Sequence, residues 1–296
     1  MPKFDPTVTI SRGGESLRLG SYVTDDGYLL KQGVTGIGIA PVEHELSAVS
    51  SGHGSLLRHT RLTDREVFLP VFVYGDTYEQ VDKRRDTLFS LLDPVKGPVR
   101  VSIQSRTRNS EIRWVDAVYS DGLDGDYGED FRGYYQHFGV TLKVPSAFWS
   151  ADPVSRLFQL DPGKKPFLSK TSPFFPVILY SSSIAGRFNI QIKGDKPVYP
   201  VFTVTGPGTD LKIQAGGKKI HFQGDIEIGR RITFDTAAGD VYDDENQDGQ
   251  LWDRVSLDSD FFQLEPGSNT VTVSFTGATE QSLLELTYKP QYLTGY

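Results

Sequence analysis

Residues 65–104 read REVFLPVFVYGDTYEQVDKRRDTLFSLLDPVKGPVRVSIQ, and this stretch decides the fold of the first half of the chain. Apolar residues recur in its middle at spacings of three and four: Tyr78, Val81, Leu88, Phe89, Leu91 and Leu92. This period predicts an amphipathic helix at residues 77–92, with Asp76 capping the first turn and Glu79 reaching back to it. The Asp-Pro and Gly-Pro pairs within residues 93–98 end the helix.

Two strands flank this helix in the prediction, at 65–74 and 99–104. The first is apolar on both pleat faces, so something must cover each face. Pro70 cannot donate to a ladder, which favours a sheet edge or a bulge. Two interpretations stay open: a strand between its own sheet and its own helix, or an edge strand that pairs with another subunit. The second gives these candidate contact residues: Val67, Phe68, Pro70, Phe72 and Tyr74.

The rest of the first half is also strand-like and predicts a β-rich domain over residues 1–150, with the helix inserted. Alternation or apolar content indicates further strands near 7–10, 36–40, 112–119 and 134–144. Two polar stretches, 43–60 and 120–132, are long for loops inside a small domain. We interpret them as arms that order against a neighbour, or as disordered segments.

The second half differs from the first in its proline content and in its pattern of strands and turns. Residues 151–186 are rich in proline and predict a crossover between domains. From Arg187 onward, short alternating strands are separated by glycine-containing turns, a pattern typical of an antiparallel β-sandwich. The predicted fold class is therefore mainly β, with a sandwich domain over residues 151–296 that includes the crossover.

Composition excludes several kinds of chemistry. The chain has no cysteine, which removes disulfides, thiolate metal sites and cysteine nucleophiles. The five histidines match no metal-ligand spacing, and the sequence holds neither a nucleophile elbow nor a phosphate-binding glycine loop. We therefore predict that the protein is not an enzyme and needs no cofactor.

The charge balance also limits the partners. The chain has 31 basic and 38 acidic residues, for a net charge of −7. This balance predicts no direct binding of nucleic acid and no attraction to an anionic membrane. The longest apolar runs, at 67–74 and 174–180, are too short to span a bilayer.

A possible calcium loop lies near residue 244. Asp244, Asn246 and Asp248, followed by Gly249, place oxygen ligands at every second position before a glycine bend. Val255 stands where an EF-hand would need a bidentate glutamate, although a calcium loop of another kind could use Asp253 or Asp258 instead. The alternative interpretation is an acidic hairpin tip that is kept soluble by its charge.

A sugar platform is the other candidate ligand site. Carbohydrate sites use exposed aromatic rings beside polar groups, and the chain has three tryptophans. Trp114 and Trp149 lie in or beside strands and are expected in the core. Trp252, next to the acidic loop, is the candidate platform.

The order of these elements resembles the siphophage distal tail protein (Dit) family, the proteins at the tail end of long-tailed, non-contractile phages. The resemblance covers most of the chain, and the following segments carry it: DDGY at 25–28, REVFLPVFVY at 65–74, the helix at 77–92, DPVKGPVRV at 93–101, PVFTVTG at 200–206, ITFDT at 232–236 and FFQLEPGSNTV at 261–271. The order of elements defines the family more than invariant residues do.

The resemblance implies a structural virion protein at the tail tip, assembled in the host cytoplasm. The first domain would form a homo-hexameric ring between the tail tube protein and the tip hub. A galectin-like second domain would point outward, and the ring would anchor receptor-binding proteins. The rival hypothesis is a carbohydrate-binding β-sandwich protein for host-surface adhesion, which binds sugar through Trp252. Fold alone does not decide between them.

Overall fold

The computed structural model of the protein describes residues 7–20, 26–50, 52–105, 111–125, 134–160, 179–180, 186–244 and 246–296. The chain divides into two compact units. Unit 1 is Met1–Ala151 together with Tyr292–Tyr296, and unit 2 is Asp152–Gln291. Across the described ranges the chain is mainly strand with one α-helix, which confirms the predicted fold class.

Unit 1 is built on one large antiparallel sheet. Its elements are β1 (Thr7–Arg12), β2 (Glu15–Leu19), β3 (Tyr28–Leu30), β4 (Val42–Ala48), β5 (Ser55–Leu62), β6 (Arg65–Tyr74), α1 (Tyr78–Leu92), a 3-10 turn (Pro94–Lys96), β7 (Val99–Gln104), β8 (Ile112–Asp121), β9 (Tyr135–Val144) and β10 (Trp149–Ala151). The main strand order is β2-β1-β7-β8-β9-β6-β3, while β4 and β5 form a separate two-stranded sheet.

Helix α1 begins one residue later than predicted and has a different cap. The side chain of Thr77, whose backbone is extended, accepts a hydrogen bond from the Gln80 amide, and the Gln80 side chain accepts one from the Asp76 amide. The cap is therefore Thr77, the Gln80 side chain reaches back to the amide one residue before it, and the predicted Asp76–Glu79 pair is wrong. The apolar side of the helix joins the unit 1 core, where Phe89 meets Phe138 edge-on at 5.5 Å.

Strand β6 is an interior strand, so the interpretation as a strand within its own sheet is confirmed, and the alternative of a free sheet edge is wrong. It pairs with β9 along its whole length and with β3 on its other side. Beyond β3, Thr35 and Phe68 exchange two backbone hydrogen bonds of 3.2 Å. The Pro70 carbonyl accepts a hydrogen bond from the Lys31 amide. In an antiparallel ladder the N–H and the carbonyl of a residue point to the same side, so the N–H that proline lacks would also face Lys31. On that side β3 has already ended.

Unit 2 is a two-sheet antiparallel sandwich, as predicted. Its strands are β11 (Val154–Gln159), β12 (Leu179–Tyr180), β13 (Gly186–Ile192), β14 (Val201–Thr205), β15 (Gly208–Ala215), β16 (Lys218–Ile226), β17 (Arg231–Asp235), β18 (Asp240–Asp243), β19 (Asn246–Gln250), β20 (Gly267–Thr276) and β21 (Leu283–Tyr288). The last strand of the chain, β22 (Gln291–Tyr292), pairs with β10 in the large sheet. One sheet has the order β12-β11-β21-β14-β17-β18-β19 and the other β13-β20-β15-β16. Phe222 and Phe234 meet edge-on at 5.7 Å between the two sheets.

The predicted crossover at 151–186 is partly wrong. Strand β11 lies inside it and pairs antiparallel with β21 over six residues, with Phe158 buried in the sandwich core. The proline content of this stretch concealed a regular strand. Residues 161–178 and 181–185 of the predicted crossover lie outside the described residues.

The segment Tyr292–Tyr296 belongs to unit 1, whereas the sequence division placed it in the sandwich domain. The buried Arg113 guanidinium donates to the Thr294 carbonyl at 2.9 Å and stacks on the Tyr292 ring at 3.6 Å. The Gly295 amide donates to the Ile37 carbonyl at 2.8 Å. These contacts, between residues far apart in sequence, draw the segment into the first unit.

Candidate interaction surfaces

The hairpin arm, which we define as β4 and β5, is the most exposed part of unit 1. The two strands pair with each other from Val42–Leu62 to Ala48–Ser55 and with no other strand in the described part of the chain. Nearly every side chain along them is exposed. The sequence predicted a polar loop or arm over residues 43–60, and the described residues of that range form a two-stranded hairpin with one bulge.

The arm is amphipathic. Leu46 lies opposite Leu57, and Val42 lies opposite Leu62, so alternation puts these four side chains on one face. Leu46 and Leu57 are each 60% exposed. The other face carries Glu43, whose carboxylate pairs with the Arg61 guanidinium at 2.6 Å, and also the exposed Leu56, which lies opposite Ser47. The arm thus presents an uncovered apolar face to its surroundings.

The apolar face of the arm left a weak sequence signal. Val42 and Leu46 are two positions of the same alternation, but His44 stands between them and Ser/Gly residues follow them in the sequence. A one-residue bulge between Glu45 and Leu46 then shifts the register of the partner strand. The pattern therefore emerges only once the pairing is known.

The five predicted contact residues of β6 divide between two faces. Val67 is fully buried in the unit 1 core. The other four are half-buried on the outward face of the sheet: Phe68, Pro70, Phe72 and Tyr74. The outward apolar residues of β6, which suggested a contact at a sheet edge, therefore lie on a face of the sheet.

The aromatic face, which we define as Phe72, Tyr74, Tyr135 and His137, lies on this outward side of β6 and β9. The Phe72 ring is 5.8 Å from Tyr74, 5.1 Å from Tyr135 and 4.6 Å from His137, measured between ring centroids. The Lys31 ammonium lies 4.3 Å from the centre of the Phe72 ring. Half-buried rings in mutual contact form an amphipathic surface of the kind that interfaces use.

A cavity of about 520 Å³ borders the aromatic face. Pro70 lies opposite Gly139 in the ladder, so no long side chain rises from this row of the sheet. The cavity lining includes these two residues together with Lys31, His137 and Asp124. The surface beside the rings is therefore a depression with one cation and one carboxylate among its lining groups.

The acidic loop of unit 2 uses its carboxylates internally. Asp243 is buried and pairs with Arg230, and Asp244 accepts from Thr233 Oγ1 at 2.7 Å and pairs with Arg231 at 3.2 Å. No group of three or more His, Asp or Glu residues that could hold a metal occurs in the part of the chain that the structure describes.

The predicted calcium loop stays a prediction. Asn246 and Asp248 lie in β19, but their side chains fall outside the described set. Asp244, the first predicted ligand, would have to leave Thr233 and Arg231 to bind a cation.

Trp252 is 42% exposed and meets Phe261 edge-on at 5.6 Å. It is therefore accessible, as a sugar platform requires, and its role stays a prediction. Trp114 and Trp149 are buried in unit 1, as the sequence predicted.

A histidine–carboxylate pair in unit 2 has the composition of a catalytic site but not its geometry. His221 Nε2 lies 2.6 Å from Asp210 Oδ1, and Lys212 Nζ lies 2.9 Å from the other oxygen of the same carboxylate. Hydrogen bonds from His221 and Lys212 lower the pKa of Asp210. The nearby Ser259 hydroxyl accepts from the main-chain amide of His221 rather than from its ring, so the three residues do not form a nucleophile–base relay.

Residues 251–260 cover the outer edge of β16. The Ser256 amide donates to the His221 carbonyl at 2.9 Å, and the Asp260 amide donates to the Lys219 carbonyl at 2.7 Å. Arg254 donates to the Gln223 carbonyl at 3.2 Å. We call this segment the edge cover, because it satisfies the backbone groups that another strand would otherwise pair with.

No helix among the described residues is long and apolar enough to cross a membrane.

Comparison with known proteins shows what the chain is similar to. Residues 193–292 match the family described as siphovirus-type tail component, C-terminal domain. This part of the chain is therefore similar to a phage tail-component family, and the resemblance predicted from the sequence is confirmed. No curated protein matches the chain.

The solved structures extend the likeness to nearly the whole chain. The fold is similar to the crystal structure of the Dit protein of phage SPP1, described as a paradigm of the hub adsorption apparatus in phages that infect Gram-positive bacteria. The TM-score is 0.65 at 15% identity, covering 96% of this chain and 98% of that one. A phage P2 baseplate structure in its activated conformation with calcium aligns at a TM-score of 0.48 and 11% identity, covering 96% and 98%.

Proposed function

We propose that the protein forms a hexameric ring at the distal end of a phage tail. There it links the tail tube to the tip hub and anchors receptor-binding proteins. The family match over residues 193–292 and the Dit-like fold support its place in the tail. The chain would assemble in the host cytoplasm and act as a structural component rather than as an enzyme.

The observation that carries the ring is the hairpin arm. An isolated two-stranded hairpin is marginally stable in water, and a contiguous exposed apolar face normally marks an interaction site. The arm contributes little to the core of its own unit, because its apolar side chains are exposed. If the arm contacts a different surface on the next copy, each copy both gives and receives one contact. Such head-to-tail contacts close into a ring when the rotation between copies permits it.

Size and symmetry of the purified full chain test the ring. We expect a particle with six times the chain mass of 32.9 kDa by light scattering, and six-fold class averages in negative-stain electron microscopy. Addition of the tail tube protein of the same phage should stack tube on the ring. Averages with another rotational order would contradict the hexamer, and a tail that contains no copy of the chain would contradict the location.

Carbohydrate binding is the second candidate, because Trp252 is exposed. A glycan array of host cell-wall fragments, probed with the full chain and with Trp252→Ala, tests it. Binding that Trp252→Ala abolishes would support the adhesion role, whereas identical signals from both proteins would remove Trp252 as a platform. Trp114→Phe serves as a control, since that ring is buried in unit 1.

A further inference from the structure

We propose that the cavity beside the aromatic face of unit 1 is a binding site for a short saccharide. This site is separate from the Trp252 platform of unit 2, and it does not depend on the hexameric ring. Its lining combines the two kinds of group that a sugar requires. Aromatic rings suit the C–H face of the sugar, and hydrogen-bond donors and acceptors suit its hydroxyl groups.

The floor of the cavity carries little side-chain volume. Pro70 and Gly139 lie opposite each other in the β6–β9 ladder, and both line the cavity. A Cβ atom added to Gly139 would lie 3.0 Å from the Phe68 ring, so a side chain at this position would take up space above the floor. The glycine keeps open a volume of about 520 Å³, which lies within the range of small-molecule sites.

Aromatic rings stand at one end of this floor. His137 lines the cavity, and its ring centroid lies 4.6 Å from that of Phe72. Both residues are half-buried, so part of each ring is accessible. The face of an aromatic ring carries partial negative charge, which attracts the weakly positive C–H groups of a sugar. These rings therefore suit the apolar side of a saccharide.

Two exposed side chains of opposite charge supply the polar contacts. Lys31 and Asp124 both line the cavity. The Lys31 ammonium, 4.3 Å from the centre of the Phe72 ring, only donates hydrogen bonds, and the Asp124 carboxylate only accepts them. Within the described residues, neither side chain has an ion-pair partner. A hydroxyl group both donates and accepts, so the rim of one sugar can bond to both.

The charge balance of the lining favours a neutral polar ligand. The Lys31 cation and the Asp124 carboxylate offset each other, so an anionic polymer gains little net attraction. A purely apolar ligand would cover both charged groups without bonding to them, which costs free energy. A sugar bonds to both and also covers the rings. A protein partner is the competing occupant, and the size of the cavity favours the smaller ligand.

Saturation-transfer difference NMR on the full chain tests the site, because this method detects weak ligands on large particles. The probes are maltotriose, cellotriose and triacetylchitotriose, each at up to about 10 mM, which fills most of a site with a Kd of about 1 mM. We expect signal transfer to at least one of them, strongest at the C–H protons of its apolar face. Absence of transfer to all three overturns the proposal.

Variants of the lining locate the binding. Asp124→Asn and Lys31→Met should each weaken binding about fivefold or more, and both residues are exposed, so the fold should persist. Gly139→Val should abolish binding by filling the floor. If crowding of Phe68 unfolds that variant, the two exposed variants carry the test. Glu66→Gln, exposed on the same face of β6, is the matched control and should bind as the parent does.

The outcomes separate this site from the other two hypotheses. Weaker binding in Asp124→Asn and Lys31→Met, with normal binding in Glu66→Gln, supports the site. Normal binding in the first two variants, or loss of binding in Trp252→Ala, puts the sugar elsewhere and overturns it. If the two variants weaken self-association and leave sugar binding unchanged, the cavity is a protein contact and the proposal is wrong. A chain that binds sugar but forms no hexamer contradicts only the ring.

Discussion

The hairpin arm and strand β16 each have an edge without a neighbouring strand, but only the edge of β16 is covered. The edge cover fills the outer side of β16 with backbone and Arg254 hydrogen bonds. The arm leaves its outer edges and its apolar face uncovered. Unpaired strand edges promote association between chains. The difference indicates that unit 2 is protected there against association, while unit 1 exposes a surface suited to assembly.

The largest expected effect comes from the core beneath the edge cover. Phe222 on β16 is fully buried and packs against Phe234. Phe222→Ala should lower the free energy of unfolding of unit 2 by about 3–5 kcal/mol. Hydrogen exchange of the β15 and β16 amides in the full chain measures this.

Leu57→Ala on the arm is the matched truncation. Because Leu57 is exposed, the free energy of unfolding should change by less than about 0.5 kcal/mol. If Phe222→Ala and Leu57→Ala lowered the free energy of unfolding by similar amounts, the distinction between a covered edge and an open arm would be wrong.

A smaller effect should follow when the edge cover is loosened. Arg254→Ala removes the hydrogen bonds to the Gln223 and Asp225 carbonyls, together with the guanidinium that stacks 4.5 Å from the centre of the Phe222 ring. We expect a loss of about 1–2 kcal/mol in unfolding free energy. Light scattering should also reveal new concentration-dependent association through β16.

Arg254→Lys retains the charge and part of the hydrogen bonding, so its unfolding free energy should lie between those of the parent chain and Arg254→Ala. If Arg254→Ala associates no more than the parent chain, the cover is not what prevents edge pairing.

The edge cover should also respond to acid. Hydrogen bonds from Lys219 and then from Ser256 lower the pKa of Asp258 to about 2, whereas an unfolded aspartate titrates near about 3.9. Because the folded pKa is the lower one, the stabilisation by Asp258 is present above about pH 4. It is lost as the pH falls from about 4 through about 2.

NMR titration of the Asp258 carboxyl checks the pKa directly. In Asp258→Asn, the acid-dependent exchange of the Lys219 and His221 amides should become flatter over this range. A normal carboxyl titration near pH 4 would contradict the expected hydrogen bonding.

The smallest expected effect on stability accompanies a large effect on assembly. The double variant Leu46→Ser, Leu57→Ser should leave the unfolding free energy within about 0.5 kcal/mol of the parent, because both residues are exposed. The oligomer should nevertheless dissociate, as measured by analytical ultracentrifugation. Ser47→Ala, beside Leu46 on the other face, should preserve it. Intact oligomers in the double variant would remove the apolar arm face from the ring contact.

The sequence predicted what depends on local pattern. Helix α1 and the alternating strands of the sandwich follow from the spacing of apolar residues. This spacing matches the side-chain period of a helix or of a strand, so it predicts which residues are buried. The helix cap was missed by one residue, since Asp76 and Thr77 are both good capping residues and only the backbone geometry selects Thr77.

The sequence could not predict what depends on distant pairing. The sequence left open whether β6 has a free edge, because the residues that cover it, Tyr28–Leu30 and Thr35, come from a segment far earlier in the chain. Its outward residues resemble core in the sequence, and only the sheet geometry separates Val67 from Phe72. The hairpin arm was not predicted, because of its bulge and because serine and glycine residues separate its two strands in the sequence.

The segment Tyr292–Tyr296 has a consequence for the order of synthesis. Because it belongs to unit 1, the whole of unit 2 is an insertion within unit 1, held by a covalent connection at each end. A ribosome must make the entire sandwich before it can make the residues that bond to Arg113 and Ile37. A chain that stops anywhere within unit 2 therefore lacks part of the unit that carries the arm and the aromatic face.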